Sequence, residues 1–295
     1  MHAGYSMEYS WVLLSLIAAF TLATSDALTK KTLTSHNEYI IAWLRLIFSL
    51  PLLLVLFLFI PVPELDKEFY TAFALSLPLE LLSIILYIKA LRLSPLSLTL
   101  PFLALTPVFL IFVSYILLGE RVSFAGGIGI LFIAAGSYTL HISKIREGIF
   151  EPLRAITRER GSVLMIGVAL IYSLTSTLGK VAIQHSSPLF FGSTYFTALA
   201  LFFTPIAFYK NKEKKMESKT ILSVILPGIF YSFMVVSHMI AISLAKVAYV
   251  ISVKRMSLII GVLYGYLFFK EKNIGERFIG ASLMFTGFIM VVTAS

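Results

Sequence analysis

Ten long apolar runs, each nearly free of charge, decide what this chain can become. They cover about residues 9–29, 38–60, 69–91, 95–118, 123–142, 161–183, 188–209, 220–244, 247–269 and 275–293. A helix crossing a bilayer needs roughly 17–25 mostly apolar residues, and every run is of that size. The runs are too long for buried strands and lack the alternation of a membrane barrel. Charged residues make up 13% of the chain, where a soluble domain carries about 25%. A fold this apolar cannot cover its surface with polar groups, so its solvent is lipid. The reading is a multi-pass protein of the cell (cytoplasmic) membrane.

The formal net charge of +9 does not mark a nucleic-acid partner, because Lys and Arg sit mainly in loops between the runs. There they signal topology. The chain has no Cys, which excludes disulfides and Cys-based metal sites. Residues 1–8 lack a basic n-region and no cleavage site follows, so a cleavable leader is not expected.

The two halves of the chain echo each other. Glu120, Gly129 and Gly136 return as Glu271, Gly280 and Gly287 at a spacing of 151. Leu28-Thr29-Lys30 returns as Leu178-Gly179-Lys180 at a spacing of 150. Each copy holds five runs, an odd number, so the second must enter the membrane upside down. The expected fold is therefore an all-α membrane protein of ten transmembrane helices in two inverted five-helix repeats. These are residues 9–142 and 161–293, joined by a basic linker at 143–160. Within the linker, Ile145, Ile149, Leu153 and Ile156 recur at helical spacing. They are read either as an interfacial helix or as a solvated segment interrupted by Pro152. Inverted repeats are a frequent design of secondary transporters, with the solute near the midplane.

Loop charges orient the chain. The loops after runs one, three, five, seven and nine carry 17 Lys and Arg, and the opposite side carries four. The positive-inside rule places the first set in the cytoplasm and both termini outside.

Soluble catalytic chemistry is missing. The sequence holds no GxxxxGK[ST] phosphate loop, no HExxH, no GxSxG and no paired His cluster. No cofactor, no metal and no enzymatic role is expected. Charges inside the runs are better guides, because each is costly in hydrocarbon. Asp26 lies within a turn of one helix end, Arg45 is roughly 10 Å into run two, and Glu80 is near the middle of run three. Lys254-Arg255 lies about 10–12 Å into run nine and is the sharpest feature. Two adjacent cations repel and need an anion, supplied by Glu80, by an anionic solute or by both. A structural pairing to Glu80 and backbone carbonyls is the plain alternative. His238 in run eight is read as a cavity wall, a proton carrier or a satisfied core histidine. Tyr87 is its repeat equivalent at a spacing of 151 and favours the cavity wall. Tyr231 and Tyr249 are weaker candidates for the same lining. Run four carries Pro95, Pro101 and Pro107, and run nine carries no Pro, so a bend is expected in run four. The paired glycines read as packing positions.

With these features the chain resembles the drug/metabolite transporter superfamily in its two-repeat EamA-type form. The resemblance rests on the five-plus-five layout, Lys30/Lys31 and Lys180 ending the first helix of each half, and the Glu-then-glycines signature. SVKRMSLIIG is similar to the lysine-arginine segment in the ninth helix of sugar-phosphate and phosphate translocators of that superfamily. In those carriers the pair binds the phosphate of the solute, and the resemblance implies that role for Lys254 and Arg255. TSDALTKKTL resembles their first-helix segment ending in Lys. Members usually keep both termini in the cytoplasm, opposite to the loop charges here.

The expectation is a secondary transporter moving a small polar, anionic metabolite by alternating access. Substrate-binding residues would be Lys254, Arg255, Glu80, Arg45, His238 and Tyr87, with Glu80 and Asp26 coupling a proton or ion. A proton-coupled exporter of amino acids or amphipathic metabolites is the first alternative. A membrane enzyme or lipid-handling protein is the second, disfavoured by the missing nucleophile. The expected partners are a small-molecule solute and the lipid bilayer, with a homodimer left open and no nucleic acid.

Overall fold

The computed structural model describes residues 9–33, 37–93, 100–141, 160–211, 218–269 and 274–295. Every regular element among them is helical. Helix α1 runs Ser10–Leu33, α2 Glu38–Leu58 and α3 Lys67–Leu93. A 3-10 turn at Leu100–Ala104 leads into α4, Leu105–Leu118, and α5 is Phe124–His141. Then come α6, Arg160–Gln184; α7, Pro188–Lys210; and α8, Ser218–Leu244. Helices α9, Val247–Lys254, and α10, Ser257–Phe269, divide one apolar run, and α11 is Ile274–Thr293.

Among the described residues, seven stretches are long and apolar enough to cross a membrane. They are Ser10–Thr29, Glu38–Leu58, Lys67–Ala90, Arg160–Gln184, Pro188–Lys210, Ser218–Leu244 and Val247–Phe268. Phe102–Leu118, Phe124–Thr139 and Ile279–Thr293 are shorter apolar helices. These three are the fourth, fifth and tenth runs, where full-length helices were expected. All three adjoin residues outside those described. The chain is an all-α, multi-pass membrane protein. The linker expected at 143–160 falls outside the described residues except for Arg160, as do Pro95 and Glu271.

Contacts divide the chain into two compact units, Met1–Leu81 with Gly179–Leu244, and Leu82–Leu178 with Ala245–Ser295. Each unit draws on both halves of the sequence, and α3 and α6 contribute to both.

In the first unit α8 packs along α1 and α2, and α7 packs on α2. No hydrophobic force separates one apolar helix from lipid, so close packing and hydroxyl bonds hold such helices together. Ser25 Oγ donates to Pro227 O at 2.9 Å, and Ser193 Oγ to Leu53 O at 2.9 Å. Trp43 Nε1 donates to Thr204 Oγ1 at 2.9 Å. Helix α7 begins on Ser187, whose side chain accepts the Phe190 amide at 3.2 Å, with Pro188 in the first turn.

The second unit is built on α5 against α11. A Cβ on Gly129 would meet Gly287 O at 2.8 Å, and one on Gly136 would meet Gly280 O at 2.6 Å. As numbers rise along α5 they fall along α11, so the two helices run antiparallel. The repeat glycines are packing positions, as read from the sequence. Helix α4 ends on Gly119 at φ 68, the left-handed cap that a glycine takes without strain. The turn delivers Glu120, whose Oε2 accepts the Val247 amide at 2.9 Å and so caps α9. Tyr249 is buried and bonded to the Ser123 hydroxyl at 3.1 Å, so it serves packing within this unit.

Candidate solute site

The ninth apolar run is not one continuous helix. Helix α9 ends at Lys254, Arg255 and Met256 form a turn, and α10 starts at Ser257. No Pro makes the break. Ser252 Oγ donates to Ala248 O at 2.6 Å, a bond that bends helices. The following amides tighten toward 3-10 spacing. Arg255 N–H reaches Ile251 O and Ser252 O at 3.1 Å each, and Met256 N–H donates to Val253 O at 2.9 Å. A continuous helix with the Lys-Arg pair on its wall was expected; the pair instead stands at a break. Lys254 is half-buried in the last turn of α9, where a cation meets the negative end of the helix dipole.

The fourth run breaks at the repeat-equivalent place, between the 3-10 turn ending at Ala104 and α4 starting at Leu105. The two breaks meet. Arg255 Nη2 donates to Thr106 Oγ1 at 2.8 Å. Arg255 Nε is buried and has no hydrogen-bond partner. Among the described residues the guanidinium forms no ion pair, and the side chain stays partly accessible. Tyr87 and Tyr172 lie within its electrostatic reach. Both tyrosines pack on the small core of Ala90, Phe102, Leu103, Met165 and Val168. This corner of the second unit therefore presents cationic donors beside aromatic hydroxyls, at a point where two helices are interrupted.

The first unit has its own polar set. Arg45 Nη1 donates to Asp26 Oδ1 at 2.7 Å, and its Cζ lies 4.6 Å from the Tyr231 ring centroid. Arg45, Glu80 and Asp26 are all within electrostatic reach of Tyr231. Glu80 also reaches Tyr195, whose hydroxyl donates to Ser76 O at 3.2 Å. His238 is buried on α8 in this unit. The residues singled out by sequence thus divide. Lys254, Arg255 and Tyr87 belong to the second unit, and Glu80, Arg45, Asp26 and His238 to the first.

Sequence reading passed over Thr106 and Tyr172, and took Lys180 only as a repeat position ending the first helix of the second half. Lys180 is a buried cation near the end of α6. Thr106 lies 149 residues before Arg255, within two of the repeat spacing, and that was the available signal. A further cluster joins Asp66, Glu68 and His185, whose metal-ligating atoms lie within 4.8 Å of one another. Asp66 Oδ1 accepts the Phe69 amide at 3.0 Å, and its Oδ2 is 2.5 Å from His185 Nδ1. The Phe69 amide first, and then His185, hold the Asp66 carboxyl below its ordinary range. The separation of 119 residues between Asp66 and His185 hid this cluster from the sequence.

Comparison with known proteins bears on the whole chain. A solved crystal structure matches 97% of this chain and 99% of its own, with a TM-score of 0.81 at 16% identity, a likeness of fold. No curated protein sequence matches. The EamA-like transporter family matches twice, at residues 9–141 and 159–293. The chain belongs to the EamA-like transporter family of multi-pass membrane proteins, which move small molecules and are not enzymes.

Proposed function

We propose that the protein is a secondary transporter of a small anionic metabolite, and that Lys254 and Arg255 hold the anion. Arg255 carries the reading. Its Nε is buried without a partner, it has no ion pair among the described residues, and it stands at a helix break. A guanidinium taken from water without a counter-charge is expensive. An anionic solute supplies that charge, and the planar fork of Arg suits carboxylate or phosphate oxygens. Interrupted helices near the midplane are also where transporters commonly bind solutes. The similarity of SVKRMSLIIG to the phosphate-translocator segment favours a phosphorylated solute or phosphate itself.

The reading includes ten spans in two inverted repeats working by alternating access. The antiparallel contacts Gly129–Gly287 and Gly136–Gly280 support it, being those that a twofold axis in the membrane plane would produce. Loop charge supports termini on the outside. Glu80 and Asp26, both within electrostatic reach of Tyr231, are assigned to proton coupling. The same carboxylates favour a second reading, a proton-coupled exporter of amino acids.

Purified protein in proteoliposomes tests the first reading. Phosphorylated sugars, inorganic phosphate, organic acids and amino acids are screened by thermal shift, and binders are then followed as labelled solutes. Arg255→Gln should abolish uptake of an anion while the protein stays folded. Uptake that survives in both Arg255→Gln and Lys254→Gln would reject the role of the pair.

A further inference from the structure

We propose that Thr106 is the positioning residue of this site, holding the guanidinium of Arg255 in the orientation that receives the solute. The inference rests on the assignment of Arg255 as an anion-binding group. Thr106 is 1% exposed, and its hydroxyl hydrogen is already committed, donated to Leu103 O at 2.8 Å. A hydroxyl has one hydrogen and two lone pairs, so toward Arg255 it can only accept. It does so from Nη2 at 2.8 Å. Leu103 belongs to the 3-10 turn and Thr106 to the first turn of α4, so the acceptor is anchored in the broken segment itself.

The anchor has a consequence for the donors that remain. Arg carries five N–H groups in a rigid plane. One is spent on Thr106, which pins one corner of that plane, and the Nε–H is left buried without a hydrogen-bond partner. A guanidinium without this anchor would swing about its stem and lose its orientation before the solute arrives. Preorganised donors bind more tightly because the ordering cost is met in advance. In repeat terms, the second half supplies the charge and the near-equivalent position of the first supplies a neutral acceptor. Thr106 contributes direction and no charge.

The test separates the hydroxyl from the methyl group. Thr106→Val keeps the branched shape and removes the acceptor; Thr106→Ser keeps the acceptor. In arginine-selective 15N–1H NMR of the full chain in micelles, Arg255→Lys assigns the Arg255 Nε–H signal. Thr106→Val should shift and broaden that signal, and Thr106→Ser should leave it near the wild-type position. Inorganic phosphate and citrate then serve as probes in a binding titration, where Thr106→Val should weaken the better probe roughly ten-fold and Thr106→Ser less than three-fold. An unchanged Arg255 signal in Thr106→Val overturns the inference. So does Arg255→Gln abolishing binding while Thr106→Val does not, an outcome that leaves the anion assignment standing. If neither probe binds the wild type, the anion assignment loses support, and the NMR signal still decides Thr106.

Discussion

Glu120 Oε2 accepts the backbone amide of Val247 at 2.9 Å, tying the end of α4 to the start of α9. Lys246, the residue before α9, makes no side-chain cap, so the first-turn amide is met from another part of the chain. Glu120→Ala should destabilise the protein by about 1–2 kcal/mol. Glu120→Gln should cost less, because its amide oxygen still accepts. Thermal unfolding in detergent reads both, and an unshifted midpoint in Glu120→Ala would remove the capping role.

The glycine seam makes a sharper contrast. A Cβ on Gly287 would meet Gly129 O at 2.5 Å and Ile133 N at 2.8 Å, both backbone atoms that cannot step aside. Gly287→Ala and Gly136→Ala should each cost about 1–3 kcal/mol as α5 and α11 are forced apart. Gly167 on α6 has nothing within 4 Å of such a Cβ. Gly167→Ala should stabilise by about 0.4–1 kcal/mol through lost backbone freedom in the unfolded chain. Denaturation midpoints should fall below wild type for Gly287→Ala and Gly136→Ala and rise above it for Gly167→Ala.

The Asp26–Arg45 pair is short, yet its side chains are 57% and 25% exposed respectively. Accessible ion pairs are screened and contribute little. A double-mutant cycle with Asp26→Asn and Arg45→Gln should return a coupling of about 0.2–1 kcal/mol to stability. A coupling several times larger would mean that the pair is sealed from water.

Asp66 gives a pH signature. Its carboxyl is held down first by the Phe69 amide and then by His185, so its pKa is lower folded than unfolded. A lowered carboxylate pKa adds stability that is fully present above the unfolded value and lost as pH falls through the folded one. The melting difference between wild type and Asp66→Asn should therefore be flat at neutral pH. It should shrink as pH drops below about 4, the ordinary carboxylate range. A difference that grows on acidification would contradict the assignment.

Much of the fold was legible because the bilayer imposes a simple rule on sequence. An uninterrupted apolar run of sufficient length becomes a helix, since no other structure satisfies its backbone in lipid. The recurrence of Glu120, Gly129 and Gly136 at a fixed spacing marked the helix-packing glycines before any contact was known. The site was less legible. Lys254 and Arg255 stood out because charge in an apolar run is rare. The break beneath them carries no Pro and shows only as a turn tightened toward 3-10 spacing. Thr106 looked like any apolar-run threonine, and His185 lay far from Asp66 in sequence.

By itself, then, the sequence determined the solvent, the helices and the family, through hydropathy and repetition, which are properties of segments. Tertiary structure decided which charges share a neighbourhood. It gathered Arg45 with Asp26 and Tyr231, and set Arg255 against Thr106 with its buried Nε–H left without a partner. Those pairings depend on hydrogen bonds only a few ångströms long between residues far apart in the chain. Only packing, which brings such residues together and removes their water, selects the partners.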